Sequence, residues 1–91
     1  MEPEREEASQ VDVLVEEYLE NVIVLYNDDV NTFDDVIEAL IEVCDHKLEQ
    51  AQQCAMITHY KGKCEVLSGS LDDLRPKCDA LQRRGLSAEI H

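Results

Sequence analysis

The amino-acid sequence predicts a small α+β domain in which a three-stranded antiparallel sheet packs against three helices in the order βααβαβ. Two observations lead to this prediction. Short β-branched runs end at polar or glycine residues, as strands do, and between them apolar residues recur at helical spacing. The chain has 91 residues, which suffices for one domain with a thin core. We expect residues 21–91 to form this domain and residues 1–20 to form a flexible acidic extension.

The first predicted elements are a strand and the clearest helix of the chain. Residues 21–26 read NVIVLY, a β-branched apolar run that stops at the polar string NDD. In residues 33–44 the apolar side chains follow the spacing i, i+3, i+4, i+7, i+8 and i+11, which is one face of an α-helix. Thr32 and Asp35 have the spacing of a capping box, so the helix is expected to begin directly after Thr32.

A break at residues 45–47 precedes a second helical pattern. This pattern ends near Gly62, because glycine readily adopts the left-handed conformation that terminates helices. The run KCEVL at residues 63–67 then predicts the second strand.

The third predicted helix spans residues 70–84, and Ser70 with Asp73 forms a second capping-box pattern at its start. Pro76 lies within this segment and has no backbone N–H to donate. We therefore expect either a kink or a main helix that begins at Pro76. Gly85 ends the helix, and residues 86–90 are predicted to form the last strand.

Charge restricts the classes of partner. The formal net charge is −13, and residues 1–20 contain eight acidic residues against one arginine. Nucleic acids and anionic membranes both select positive charge, so neither is an expected partner. No apolar run approaches the roughly 20 residues of a transmembrane helix, and the acidic start lacks the features of a signal peptide. We expect a soluble, cytoplasmic protein.

The four cysteines lie at positions 44, 54, 64 and 78, and no two of them form a C-x-x-C motif. Three of them lie among apolar positions of helical segments, which favours reduced and mostly buried thiols over disulfides. A structural zinc site is not expected from this spacing.

Enzyme and calcium patterns are not found in the sequence. An EF-hand loop that started at Asp29 would place Phe33 and Asp34 where a ligand and a glycine are needed. Cys54 and His59 are five residues apart in a helix and point in different directions, which is unsuitable for a thiol and its base. We therefore expect a recognition protein that is not an enzyme and uses no cofactor or metal.

The helical spacing does bring one group of residues together. If the first two helices pack as an antiparallel pair, the start of one lies beside the end of the other. An apolar patch with a polar rim then forms from Phe33, Val36, Ala55, Thr58, Asn27, Asp28 and His59. Such a patch suits a cation attached to a hydrophobic group. A solvated surface histidine and an acidic turn that caps a helix are the alternatives.

Two motifs at suitable spacing resemble those of the ClpS family of adaptor proteins. The string NDD at residues 27–29 follows a strand, and THYKGK at residues 58–63 contains the H-x-x-G-K pattern that ends the family's second helix. The resemblance implies a small α+β domain that binds proteins with N-terminal Leu, Phe, Tyr or Trp. It also implies delivery of these proteins to the N-terminal domain of a Clp AAA+ unfoldase of the ClpA or ClpC type, and so to its protease.

Carried over to this sequence, the resemblance implies three groups of site residues. The α-amino group of the substrate would be bound by Asn27, Asp28 and His59. The pocket for its first side chain would be formed by Asn31, Phe33, Val36, Ala55, Thr58 and Leu86. The unfoldase would dock on Asp72 and Lys77. The acidic residues 1–20 correspond to the family's N-terminal extension, which substrate hand-over requires.

The pocket walls depart from the family pattern. Family members have Thr-Pro-Met where this chain has Asn31, Thr32 and Phe33, so an aromatic ring replaces the methionine that gates the pocket. A second pocket methionine is replaced by Ala55, and an aliphatic residue beside the histidine by Thr58. The groups that would bind an amine are kept while the walls change, so the preferred side chain does not follow from the resemblance.

A second resemblance points to a different class of protein. The βααβαβ outline is similar to that of the C-terminal domain of the ribosomal stalk protein, a docking module for translation factors. Such a module would need neither the NDD string nor His59.

Overall fold

The structure, a computed structural model, describes residues 20–91, and the predicted acidic extension lies outside this range except for its last residue. The elements are β1 (Asn21–Tyr26), α1 (Phe33–Cys44), α2 (Leu48–Lys61), β2 (Lys63–Gly69), α3 (Leu71–Arg83) and β3 (Ser87–Ile90). Both the βααβαβ order and the α+β fold class predicted from the sequence are confirmed. No helix within residues 20–91 is long and apolar enough to cross a membrane.

The sheet has the order β2-β1-β3, with both neighbours antiparallel to β1. Since successive side chains of a strand point to opposite faces, Ile23 and Leu25 share one face of β1. They are 0% and 1% exposed and pack in the core cluster with Leu40, Leu74 and Leu81 from the helices. The β-branched apolar run is therefore the central strand. The NDD string that follows it lies at the edge of the core.

A bulge in β2 connects the sheet to the turn between α1 and α2. Ile23 pairs with Leu67, whereas the next residue of β1 pairs with Glu65, so Val66 is an extra residue on β2. His46, which is buried, donates from Nε2 to the carbonyl oxygen of Val66 at 2.6 Å. The helix connection is thus fixed to the sheet at the point where the bulge frees a carbonyl group.

The third helix is continuous through Pro76. It begins at Leu71, and Ser70 Oγ accepts from the N–H of Asp73 at 3.2 Å, which is one half of the predicted capping box. The expectation that the main helix begins at Pro76 is wrong. Buried side chains lie on both sides of the proline, namely Leu74, Cys78 and Leu81. Their burial stabilises the helix across the position at which proline removes a hydrogen bond.

The cysteines agree with the prediction of mostly buried thiols. All four are free, and Cys44, Cys54 and Cys78 are buried while Cys64 is half-buried. Burial raises the pKa of Cys44 to about 11 and that of Cys64 to about 12. At neutral pH these groups are therefore thiols rather than thiolates, and they act as small apolar side chains.

Candidate functional site

A cavity of about 440 Å³ lies where the end of β1, the start of α1 and the end of α2 meet. Ligand sites in proteins are commonly concave and of this size. The cavity is lined by Leu25, Tyr26, Asn27, Asp28, Asp29, Asn31, Thr32, Phe33, Val36, Ala55, Thr58 and His59. Its shape depends on backbone hydrogen bonds, on the packing of α1 against α2 and on side-chain hydrogen bonds within the loop.

Backbone hydrogen bonds bring the NDD string to the end of α2. The N–H of Asn27 donates to the carbonyl oxygen of Gly62, and the N–H of Gly62 donates to that of Thr58, each at 2.9 Å. Gly62 has φ of 90°, a left-handed conformation that only glycine adopts without strain. The end of α2, which carries His59, is therefore fixed beside the first residue of the loop.

Phe33 and His59 line the cavity side by side. The two rings meet edge to face, with centroids 6.4 Å apart and an interplanar angle of 83°. His59 also meets Tyr60 in the same manner, at 5.1 Å. Phe33 is the first residue of α1, and His59 lies in the last turn of α2. The start of one helix thus lies beside the end of the other, as the antiparallel pair predicted from the sequence requires.

Asp28 organises the loop between β1 and α1. Its Oδ1 accepts from the backbone N–H groups of Val30 at 2.9 Å and Asn31 at 2.8 Å. The Asn31 side chain donates to the same carboxylate, at 3.3 Å to Oδ1 and 3.2 Å to Oδ2. Burial raises the pKa of Asp28, but the hydrogen bonds from Asn31 and Val30 outweigh it, so the pKa lies below 3.8. The carboxylate is therefore charged at neutral pH.

Asn31 links this loop to the turn between α3 and β3. Besides Asp28, its Nδ2 donates to the carbonyl oxygen of Gly85 at 2.7 Å. Gly85 has φ of 86°, so its backbone conformation favours glycine. An amide nitrogen has two hydrogens, and here one faces a carboxylate and the other a carbonyl oxygen. These contacts fix the orientation of the Asn31 amide.

The inner wall is formed by Val36 of α1 and by Ala55 and Thr58 of α2. Ala55 is 3% exposed and Thr58 is 4% exposed. The Thr58 hydroxyl donates to the carbonyl oxygen of Cys54 at 2.7 Å. This wall is mostly apolar, and it has one oxygen atom whose hydrogen is already committed to the helix backbone.

The acids that follow the loop serve the helix rather than the cavity. Thr32 Oγ1 accepts from the N–H of Asp35 at 3.1 Å, and Asp35 Oδ2 accepts from the N–H of Thr32 at 3.2 Å. This is the capping box predicted from the sequence. Asp34 lies in the same first turn, where a negative charge stabilises the helix N-terminus.

The structure brings together eight of the nine residues that the family resemblance assigns to the amine and side-chain sites. These are Asn27, Asp28, His59, Asn31, Phe33, Val36, Ala55 and Thr58. Leu86 does not join them, since it is buried in the core cluster and borders a separate cavity with Gln82 and Ser87. Sequence reasoning missed Leu25 and Tyr26, which line the cavity from the end of β1, and also Asp29 and Thr32.

Asp72 and Lys77 lie on α3, away from the cavity. Asp72 is exposed in the first turn, and Lys77 is half-buried with its Nζ 3.9 Å from Asp45 Oδ2. Five residues of an α-helix turn through about 500°, so these two side chains project about 140° apart. They do not form one compact patch on the helix.

Comparison with known proteins identifies the family. A family model described as "ATP-dependent Clp protease adaptor protein ClpS" matches residues 16–89. An ATP-dependent Clp protease adapter protein ClpS of Corynebacterium aurimucosum is 33% identical over 88 residues, which are 97% of this chain and 79% of that protein. The chain belongs to the ClpS family.

A solved structure has the same fold. Agrobacterium tumefaciens ClpS2 bound to L-phenylalaninamide matches with a TM-score of 0.72 and 20% sequence identity. The match covers 79% of this chain and 94% of that one. At this level of identity the likeness shows a shared fold.

Proposed function

We propose that this protein is an adaptor that binds the free N-terminus of substrates with a bulky hydrophobic first residue, Leu, Phe, Tyr or Trp. It delivers them to a Clp AAA+ unfoldase and its protease. The observation that supports this most directly is a half-apolar cavity whose lining includes hydrogen-bond acceptors, a carboxylate among them. Membership of the ClpS family supports the adaptor role. The ligand of the Agrobacterium protein, a free amine next to a phenylalanine side chain, has the chemistry that such a cavity accommodates.

The amine end is recognised by acceptors. An N-terminal ammonium has three N–H donors and a positive charge. The side-chain oxygen of Asn27 and an unprotonated nitrogen of His59 accept from it, and the charged Asp28 supplies negative potential at short range. Hydrogen bonds of this charge-assisted kind contribute roughly 1.5 to 3 kcal/mol each.

The first side chain of the substrate enters between Phe33, Val36 and Ala55. Burial of a leucine or phenylalanine side chain contributes roughly 1.5 to 3 kcal/mol. Neither the amine nor the side chain alone gives a useful affinity, because association itself costs several kcal/mol. The site therefore selects a chain end that offers both.

A binding panel tests this function. Peptides that start with Phe or Leu should bind at least about tenfold more tightly than the same peptides starting with Ala, the difference expected from the lost apolar burial. Fluorescence anisotropy with a dye at the C-terminus gives the affinities. Equal binding across the panel would favour a docking module like the ribosomal stalk domain, which has no use for a particular first residue.

Delivery requires two further parts of the chain. We assign unfoldase docking, on the N-terminal domain of a ClpA- or ClpC-type partner, to a surface broad enough to include Asp72 and Lys77, which lie on different sides of α3. Hand-over is assigned to the acidic residues 1–20, while residues 21–91 bind the substrate. The unfoldase supplies the energy, so the adaptor itself needs no catalytic group or cofactor. We propose that the protein acts in the cytoplasm.

A double variant separates docking from substrate binding. Asp72→Ala with Lys77→Ala should reduce capture by an immobilised unfoldase N-terminal domain and leave peptide affinity unchanged, since both residues lie outside the cavity. The exposed Gln53→Ala serves as the control. Unchanged capture by the double variant would show that the partner binds another surface.

A further inference from the structure

We propose that the pocket selects a first residue whose side chain carries a hydrogen-bond donor, tyrosine or tryptophan, over phenylalanine and leucine. This inference rests on the proposed function, because it concerns which N-terminal residue the same site prefers. Two polar side chains of the cavity lining, Thr58 and Asn31, lead to it.

Thr58 lines the cavity, and its hydroxyl has no hydrogen left to donate to a ligand. Its only hydroxyl hydrogen is committed to the carbonyl oxygen of Cys54 at 2.7 Å. A hydroxyl oxygen has two lone pairs, and no N–H or O–H group of residues 20–91 donates a hydrogen bond to this one. Since Thr58 is 4% exposed, the oxygen is largely shielded from bulk water. A donor on the bound side chain would give this oxygen the hydrogen bond that the protein does not supply.

The Asn31 side chain also has no hydrogen left to donate to a ligand. Both hydrogens of its Nδ2 face acceptors, the Asp28 carboxylate and the Gly85 carbonyl oxygen. The amide cannot rotate to present its nitrogen to the cavity without breaking these contacts. Its Oδ1 receives no hydrogen bond from the part of the chain that the structure describes. Of its polar atoms, Asn31 therefore has only the amide oxygen free to bond a ligand, and it can act only as an acceptor.

The consequence concerns selectivity. A phenylalanine or leucine side chain in the pocket leaves these oxygens without a donor. The phenol O–H of tyrosine and the indole N–H of tryptophan restore a hydrogen bond at no loss of apolar contact. Sites with buried acceptors discriminate against analogues that lack the matching donor more strongly than apolar sites discriminate by size.

The test compares first residues that differ only in the donor. Peptides starting with tyrosine, phenylalanine and 4-fluorophenylalanine are measured by fluorescence anisotropy against the full chain. Fluorine extends the ring at the same position as the hydroxyl but has no hydrogen to donate. We expect tyrosine to bind about fivefold to tenfold more tightly than both others, the range of one net hydrogen bond. Equal affinities for the three peptides would overturn the proposal.

Substitutions then identify the acceptor. Thr58→Val and Asn31→Leu keep the approximate volume of each side chain and remove its oxygen, and Asn31→Leu also removes the amide nitrogen that bonds Asp28 and Gly85. The affinity for tyrosine is therefore compared with that for phenylalanine within each variant, and the preference for tyrosine should vanish in one variant or in the double variant. A preference that persists in the double variant would overturn the assignment to these two residues. Gln53→Leu, an exposed change of the same kind on α2, is the matched control, and thermal unfolding confirms the fold of each protein.

The outcomes also separate this proposal from the function on which it rests. If phenylalanine- and tyrosine-starting peptides bind equally but alanine-starting peptides do not, the adaptor function stands and the donor preference fails. If none of these peptides binds, the proposed function itself fails.

Discussion

Acetylation of the N-terminus is expected to abolish the binding of a peptide that begins with phenylalanine. The modification converts an ammonium with three donors into a neutral amide with one N–H. Asn27 and His59 then lose donors that a single amide N–H cannot replace, Asp28 loses the positive charge that it attracts, and the acetyl group occupies the space of the lost hydrogens. Loss of two charge-assisted hydrogen bonds costs roughly 3 to 6 kcal/mol, which corresponds to more than about a hundredfold in affinity.

Fluorescence anisotropy with free and acetylated peptides measures this effect. The matched control is the same peptide acetylated on a lysine side chain near its C-terminus, which removes one positive charge and keeps the free N-terminus. The control should bind like the unmodified peptide. Comparable affinity for the N-acetylated peptide would mean that the cavity does not recognise a chain end, and the adaptor function would have to be abandoned.

The fold was predictable because its signals are local. The strand NVIVLY and the capping box of Thr32 and Asp35 each occupy a few consecutive residues, and periodicity identifies the helices between the turns. The bulge at Val66 was not predictable, and neither was the hydrogen bond to its carbonyl oxygen from His46, because the two residues are twenty positions apart in sequence. The unbroken α3 depends likewise on burial of the residues around Pro76, which only the packed structure reveals.

The site was predictable where a short motif marks it. Asn27, Asp28 and His59 follow from the NDD and H-x-x-G-K strings, and the cavity contains all three. The motifs do not indicate which hydrogen bonds form within the loop. Asp28 accepts four contacts from Val30 and Asn31, and Asn31 also reaches Gly85, which is 54 residues along the chain. Such bonds depend on the turn that the folded loop adopts.

This bonding gives Asp28 two separable tasks, to hold the loop and to attract the ammonium. Asp28→Asn keeps an oxygen that can accept from the N–H groups of Val30 and Asn31 but removes the charge. We expect a loss of about tenfold in affinity for a phenylalanine-starting peptide, the scale of one charge-assisted contact. Asp28→Ala removes the acceptor too, which leaves two backbone N–H groups without their partner. The loop then loses its shape, and the loss should exceed about a hundredfold.

The matched control is Asp34→Asn, which removes the same charge from an exposed position in the first turn of α1, outside the cavity lining. It should leave peptide affinity within about twofold, because exposed charges beyond the site are screened by salt. Anisotropy titrations of the three variants give the comparison. Equal affinities for Asp28→Asn and Asp28→Ala would show that the hydrogen bonds within the loop contribute nothing to binding.

The dependence of peptide binding on pH tests whether the Asp28 carboxylate stays charged. Because the pKa of Asp28 in the folded protein is lowered below 3.8, the ionised carboxylate stabilises the loop at all pH values above that and ceases to do so as the pH falls through the lowered pKa. Between pH 5 and 8, protonation of Asp28 should therefore cause no loss of peptide affinity. This range lies about one unit or more above the reference pKa of an aspartate. Wild type and Asp28→Asn should differ by the same factor throughout that range. A factor that shrinks steadily from pH 8 to pH 5 would mean that Asp28 takes up a proton there, and that the hydrogen bonds of the loop do not hold its charge.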